Sequence, residues 1–161
     1  MTVAVMAFIF IQSALPGHLS GAESNFLARL LARITGADPQ SLSFGVRKAA
    51  HFTEYMILGG LLMVDAGGWR RRAVGKEEAD RPDRGRRAAQ SAAQAAGKTR
   101  LKTPLCAWSI AALYAVSDEI HQYFVPGRVC TLMDMGIDAI GAAAGVAIVY
   151  MIIRRAVRRK Q

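Results

Sequence analysis

The sequence predicts an all-α membrane protein with four transmembrane helices and a short interfacial amphipathic helix. Two observations lead to this fold class. The 161 residues are 52% hydrophobic with a mean hydropathy of +0.20, which is more apolar than a soluble domain of this length usually is. The apolar residues also come in long blocks, whereas a soluble domain spreads them over amphipathic elements. We therefore interpret residues 1–161 as one membrane domain, with helices at about 1–12, 46–66, 104–123 and 132–153.

The first apolar block covers about residues 1–12 and ends at Gln12. It is short, because a helix needs about 20 residues to cross the hydrocarbon core of a bilayer. A signal peptide is the alternative, but no basic residues precede the block and no small-x-small cleavage site follows it. We expect a shortened first membrane helix.

The segment after this block predicts a short amphipathic helix. Ser20 and Glu23 match a capping box, and Gly36 supplies a stop. Arg29 and Arg33 lie on the polar face. The apolar residues share the opposite face: Phe26, Leu27, Leu30, Leu31 and Ile34. This pattern is typical of a helix at the membrane interface, and equally of a helix that packs on the rest of the protein.

The net charge of +9 would suit a nucleic-acid partner, so the distribution of the basic residues matters. Eleven of the 21 Lys and Arg residues lie within 70–102, and five more lie within 154–160. Both clusters flank apolar blocks, which favours the positive-inside rule over nucleic-acid binding. With four spans, sixteen basic residues fall on one side and five on the other. We therefore expect both termini and a basic loop at 70–102 to be cytoplasmic, with at most one short Ala-rich helix in that loop.

In this topology, ionisable and amide side chains meet at the outer ends of the last three helices. Lys48, His51 and Tyr55 are spaced i, i+3 and i+7, so they share one face of the second helix. Asp118 and Gln122 share a face at the end of the third helix. Ionisable residues at membrane depth are costly and usually face the bundle interior, so their convergence indicates a functional site.

The fourth helix adds an acidic stripe next to small residues. Asp134 and Asp138 are about one turn apart and are followed on the same side by Gly141 and Gly145, while Gly59 continues the polar face of the second helix. Small residues let membrane helices approach closely. We expect the acidic stripe to face a neighbouring helix rather than lipid.

These side chains support several chemistries. Lysine, histidine and arginine can hold a phosphate, and buried carboxylates or histidine can act as an acid or base. Metal binding is a third possibility, but no HxxxH or HExxH spacing is present, and we predict no metal site. The catalytic candidates are Glu119, Asp118, Asp134 and His51. The ligand-binding candidates are Lys48, Tyr55, Gln122, Arg128 and Asp138.

Alternatively, these charged residues could have a purely structural role and hold the helices together. In that alternative, Arg128 pairs with Asp134 and Lys48 pairs with Glu119, because buried charges are normally paired. Glu54 lies off the Lys48 face and is the weakest member of the set.

At these residues the chain resembles the VanZ-like family of small bacterial membrane proteins. That family has an early Ser…Pro segment, then K-x-x-H-x-x-x-Y, D-E-x-x-Q, P-x-R, and an Asp followed by Asn and glycines. The matching segments are "KAAHFTEY", "DEIHQYFVPGR" and "DMGIDAIGAAAG", with Ser13 and Pro16 before them. Asp138 stands where Asn is common in the family, and His121 fills a variable position, which lowers its rank as a candidate.

The resemblance implies an integral protein of the bacterial cytoplasmic membrane, and the named member of the family is associated with teicoplanin resistance. Together with the outward position of the polar residues, it favours a pocket for an anionic lipid or cell-wall precursor headgroup. Two alternatives stay open: a membrane enzyme that hydrolyses or transfers a lipid-linked phosphate, and a non-catalytic structural or partner-binding membrane protein. The expected partners are the bilayer and a phosphate-bearing lipid or precursor, with no nucleic acid; the sequence identifies no cofactor.

Overall fold

In a computed structural model, the protein is all-helical over the residues that the structure describes, 1–79 and 87–159. Side chains are described throughout these ranges except at positions 20, 23, 69–79, 87–102 and 157. The described part contains five helices, α1 (Thr2–Ala14), α2 (Gly17–Thr35), α3 (Pro39–Ala79), α4 (Arg87–Tyr123) and α5 (Leu132–Arg158). The all-α class is confirmed.

Helix α3 begins seven residues before its predicted start because Asp38 caps it. The Asp38 carboxylate accepts hydrogen bonds from the Ser41 amide at 2.9 Å and from the Ser41 hydroxyl at 3.0 Å. The Ser41 amide, followed by its hydroxyl, lowers the pKa of Asp38. Pro39 occupies the first helical position, where its missing N–H costs nothing. The Asp-Pro pair was therefore a readable start signal in the sequence.

The predicted loop at 70–102 differs from the structure. Its backbone is helical at 70–79, the end of α3, and at 87–102, the start of α4, while 80–86 lie outside the described residues. Alanine has the highest intrinsic helix propensity, and the Ala-rich stretch at 87–97 accordingly extends α4 toward its N-terminus.

Among the described residues, Leu132–Ala156 in α5 is the one helix that is long and apolar enough by itself to cross a membrane. Only 28% of its most apolar stretch is buried in the protein. Helices α1 and α2 meet the same criterion as a pair, but the chain bends by 99° between them. Four separate spans are thus not evident from length and composition, since polar residues dilute the apolar stretches of α3 and α4.

Small residues fill the interior while large apolar residues face outward. On α4, the buried residues Ala107, Ala111 and Ala115 recur every four residues, whereas Leu113 is 70% exposed. The main core cluster combines three alanines with three larger residues: Ala111, Ala115, Ala142, Ile9, Tyr55 and Leu58. Extended exposed apolar surface is a mark of contact with a membrane or another protein.

Helices α3 and α5 cross at very close range, as the glycine pattern predicted. A Cβ atom on Gly145 would overlap the carbonyl oxygen of Met56, and one on Gly141 would overlap that of Phe52. On the other helix, a Cβ on Gly59 would overlap the carbonyl oxygen of Ala142. The acidic stripe was expected to face a neighbouring helix; the glycines that follow it lie against α3, and Asp138 is fully buried.

Helix α2 turns its apolar face outward. It begins at Gly17, three residues before the predicted cap, and ends at Gly36, whose φ of 73° is the left-handed stop that the sequence predicted. The side chains of Ser20 and Glu23 lie outside the described residues. Ala28 is buried on the inner face. All five residues of the predicted apolar face are exposed: Phe26, Leu27, Leu30, Leu31 and Ile34.

The α4–α5 loop docks on the bend between α1 and α2. The Gly17 amide donates to the Pro126 carbonyl at 3.0 Å, and a Cβ on Gly17 would overlap the Gly127 carbonyl oxygen. Gly127 itself has a φ of 76°, which favours glycine. This contact brings Arg128 to the end of α1.

Candidate functional site

A half-open cleft lies where the end of α1, helix α2, the first part of α3 and the α4–α5 loop meet. Its volume is about 70 Å³, the size of a small polar group or of roughly two water molecules. Polar side chains form most of its wall, and two of them are arginines. The lining residues are Gln12, Ser13, Ser24, Arg47, Ala50, His51, Glu54 and Arg128.

Arg128 connects the cleft to the C-terminal end of α1. Its Nε donates to the Leu15 carbonyl at 3.2 Å, and its Nη2 donates to the Gln12 carbonyl at 2.8 Å. Carbonyls at a helix C-terminus lack helical partners and carry partial negative charge, so a cation stabilises them. Its Nη1 donates to Gln122 Oε1 at 3.2 Å. Three of the five guanidinium N–H groups are therefore occupied, which leaves at most two for a ligand.

Arg47 is the second cation of the cleft, and it is not committed to the fold. It forms no hydrogen bond or ion pair with any residue that the structure describes. Burial lowers the pKa of Arg128, and the charge of Arg47 lowers it further. The two guanidinium groups are thus close enough to repel each other, and an anion between them would relieve that repulsion.

A buried hydrogen-bond network behind the cleft links α1 to α4. The Ser13 hydroxyl donates to Asp118 Oδ2 at 2.8 Å, and the Gln122 amide donates to the same oxygen at 3.0 Å. All three side chains are buried. Because Gln122 also accepts from Arg128, this network couples the arginine at the cleft to the interior carboxylate.

A second polar layer joins α3, α5 and the end of α4. Lys48 forms an ion pair with Asp134. Asp134 Oδ2 also accepts from the Thr131 hydroxyl at 2.8 Å, while the Thr131 amide donates to Glu119 Oε2 at 3.1 Å. Neither pair expected from packing alone, Lys48 with Glu119 or Arg128 with Asp134, forms a direct ion pair among the described residues.

His51 stands between the cleft and the buried acid Asp138. The imidazole lines the cleft, and its Nδ1 lies 4.0 Å from Asp138 Oδ1. Asp138 is fully buried, and neither of its oxygens accepts a hydrogen bond from a residue in the described part of the chain. A carboxylate that faces Nδ1 leaves Nε2 as the nitrogen available to a bound group.

The structure divides the nine predicted site residues among the cleft, the hydrophobic core and the helix interfaces behind the cleft. His51 and Arg128 line the cleft itself. Tyr55 belongs to the hydrophobic core next to Ile9 and Leu58, so it is not on the cleft wall. The remaining six lie behind the cleft, in or near the helix interfaces: Lys48, Asp118, Glu119, Gln122, Asp134 and Asp138.

The cleft also contains residues that sequence reasoning missed or ranked low. Arg47, Gln12 and Ser24 were not among the candidates, and Glu54 was considered to lie off the site face, yet all four line the cleft. The sequence did hold a signal, since Arg47, His51 and Glu54 are spaced i, i+4 and i+7 and share a helix face.

His121 lies away from this wall. Its ring stacks on Phe10 with centroids 4.4 Å apart, and its low rank fits that position. No group of three or more His, Cys, Asp or Glu side chains among the described residues has the geometry to hold a metal ion.

Comparison with protein-family models gives a match to VanZ/LLP1 over residues 1–154. Comparison with curated proteins and with solved structures gives no match. The matched range covers α1 to α4 and nearly all of α5, and it includes every residue of the cleft.

Proposed function

The chain belongs to the VanZ/LLP1 family, and from this premise we propose that it is a multi-pass protein of the bacterial cytoplasmic membrane whose cleft binds an anionic headgroup. The ligand would be a lipid or a cell-wall precursor that carries phosphate. A contribution to teicoplanin resistance belongs to the same proposal, because that antibiotic acts on cell-wall precursors outside the membrane.

The inside-out distribution of side chains supports the membrane location. Helix α5 is long and apolar enough to span a bilayer, and most of its apolar stretch is not covered by protein. Large apolar side chains are also exposed on α1, α2 and α4, for example Val3, Ile34 and Leu113. Lipid contact would remove this apolar surface from water, whereas a monomer in water would leave it exposed.

One observation carries the binding proposal: two arginines line a single small cleft, and one of them has no partner in the described structure. Arginine presents a planar fork of N–H donors that matches phosphate oxygens. The packing alternative accounts for Lys48 and for part of Arg128, but it leaves Arg47 without a role.

The ligand-binding set therefore differs from the one expected from sequence. Lys48 is engaged by Asp134 between α3 and α5, so we assign the anion to Arg47 and to the free donors of Arg128. Arg47 is the better residue to test, because replacing Arg128 would also disturb the end of α1.

The test compares lipid binding to the Arg47→Gln variant and to wild type. Native mass spectrometry of protein in neutral detergent would measure retention of phosphatidylglycerol against diacylglycerol with the same chains. We expect the wild type to retain the phospholipid, and Arg47→Gln to bind it about tenfold more weakly or worse, as for loss of a charge-assisted bidentate contact. Arg155→Gln removes the same charge at the far end of α5 and should bind normally. Equal retention by Arg47→Gln and wild type would refute the assignment.

The outward orientation has its own test with the two free cysteines, Cys106 and Cys130. A variant that keeps only Cys130, in the loop next to Arg128, should react with a membrane-impermeant maleimide in intact cells. A variant that keeps only Cys106, in the middle of α4, should not. The reverse labelling pattern would invert the topology.

A second candidate is an enzyme that hydrolyses a lipid-linked pyrophosphate, and the contact of His51 with Asp138 favours it. Water would attack the terminal phosphorus, His51 Nε2 would take the proton of the water, and the phosphorus–oxygen bond to the lipid monophosphate would break. Asp138 would stabilise the imidazolium before its proton passes to solvent. The products are a polyprenyl phosphate and inorganic phosphate.

Phosphate release from polyprenyl pyrophosphate in proteoliposomes tests this second candidate. We expect His51→Gln to lose about a hundredfold or more of the rate, as is usual for a general base. His18→Gln changes an exposed histidine that does not line the cleft, and should keep the rate. Absence of phosphate release from the wild type would count against the enzyme and leave the binding proposal intact.

A further inference from the structure

Among the described side chains that line the cleft, Glu54 is the only carboxylate. It is partly buried, and it forms no hydrogen bond or ion pair with any part of the chain that the structure describes. In particular, it pairs with neither Arg47 nor Arg128, although all three face one small space. Glu54 and Arg47 lie seven residues apart on the same face of α3, about 10 Å along the helix axis.

A carboxylate is unexpected in the binding site of a ligand that carries only negative charge. Like charges repel at short range in a partly desolvated cleft, so Glu54 would weaken the binding of a ligand that carries only negative charge. If Glu54 served only to neutralise the arginines, direct ion pairs with them would be the expected geometry. A wall with both cationic and anionic ends instead complements a ligand that carries both charges.

We infer that the ligand carries a protonated primary amine as well as a phosphate, with the phosphate on Arg47 and Arg128 and the ammonium group on Glu54. This inference rests on the proposed anion site and adds the second charge of its ligand. Phosphoethanolamine, free or as the headgroup of phosphatidylethanolamine, has this chemistry. The exposed apolar face of α2, adjacent to the cleft through Ser24, offers a surface for acyl chains.

A competition between two phospholipids tests the inference without any variant. Wild-type protein in neutral detergent would be incubated with equal amounts of phosphatidylethanolamine and phosphatidylglycerol of matched chains, and the bound ratio measured by native mass spectrometry. We expect about tenfold more phosphatidylethanolamine, the size of one charge-assisted contact in a partly buried site. Equal uptake of the two lipids would overturn the inference.

Two variants then assign the preference to Glu54. Glu54→Gln keeps the shape of the side chain and removes its charge, so the ratio should fall to about one while phosphatidylglycerol is still retained over diacylglycerol. Asp38→Asn is the matched control. It removes the charge of an exposed carboxylate at the start of α3, the helix that also carries Glu54, and asparagine can replace aspartate as the helix cap. A ratio in Glu54→Gln that equals the wild-type ratio would also overturn the inference.

The outcomes separate this inference from the proposed function. If neither phospholipid is retained over diacylglycerol, the anion site itself is wrong. If both are retained without preference, the anion site stands and the amine does not. Soluble phosphoethanolamine distinguishes the two sources: displacement of bound phosphatidylethanolamine at millimolar concentration assigns recognition to the headgroup alone, and failure to displace it assigns recognition to the lipid.

Discussion

Replacement of Gly145 by alanine should push apart the α3–α5 pair that holds the polar layers together. The added methyl group would lie 2.8 Å from the carbonyl carbon of Met56 and 2.9 Å from the amide nitrogen of Gly60, and it would overlap the Met56 carbonyl oxygen. These neighbours are backbone atoms, so no side-chain rotation can make room. The two helices must separate, and contacts along their whole interface weaken.

The magnitude follows from two opposing effects. Overpacking of a well-packed interface costs about 1–3 kcal/mol, while alanine in place of glycine favours a helix interior by up to about 1 kcal/mol. We expect the free energy of unfolding to fall by a net amount of about 1–2 kcal/mol, which corresponds to a melting temperature lower by roughly 2–8 °C.

Gly136→Ala provides the matched control on the same helix. Beyond the local backbone of its own helix, no atom of the described residues lies within 4 Å of the Cβ that it would introduce, so only the gain in helix propensity remains. This variant should be as stable as the wild type or up to about 1 kcal/mol more stable. The assay is thermal unfolding in detergent followed by circular dichroism at 222 nm. If Gly145→Ala unfolds at the same temperature as Gly136→Ala, the close approach of α3 and α5 is not what the structure indicates.

Three further predictions concern the polar layers. Asp134→Asn should lower the free energy of unfolding by about 1–3 kcal/mol, because Lys48 loses its partner. A double-mutant cycle with Lys48→Met should give a coupling energy of at least about 0.5 kcal/mol, and strictly additive effects would contradict the ion pair. Arg128→Lys should lower the free energy of unfolding by about 1–3 kcal/mol, since an ammonium group cannot reproduce the forked contacts with Gln12 and Gln122. Unchanged thermal unfolding would show that these contacts do not stabilise the fold. Asp138→Asn should leave the free energy of unfolding unchanged or raise it by about 1–3 kcal/mol, because burial of a carboxylate without hydrogen bonds destabilises the fold. A clear loss of stability would show that the fold needs its charge.

The convergence of polar residues was predictable because it depends on spacing within single helices. Lys48 and His51 share a face of α3 by the helical period, and the glycines of α5 follow Asp138 on the face that meets α3. Such patterns are local, so the sequence carries them in full. The start of α3 was also predictable, since Asp38 and Pro39 form a cap signal that precedes the apolar block.

The partners of each charge were not predictable in this way. Whether Lys48 meets Asp134 or Glu119 depends on how far α3 is shifted along α5 and how it is rotated against α4. A shift of one helical turn, about 5.4 Å, exchanges one carboxylate for another. The same dependence hid Arg47, which is next to Lys48 in sequence but points about 100° away around the helix and enters the cleft.

The sequence by itself determined the all-α class, the family pattern, the glycine face of α5 and the set of polar residues that meet at one end of the bundle. Only the tertiary structure decided which of these residues stabilise the helix contacts and which line the cleft. Lys48 and much of Arg128 are used by the fold, while Arg47 and Glu54 face open space. The physical reason is that a helical sequence specifies the direction of each side chain around its own axis, whereas the offset and rotation between helices, set by close packing at Gly59, Gly141 and Gly145, decide what each side chain meets.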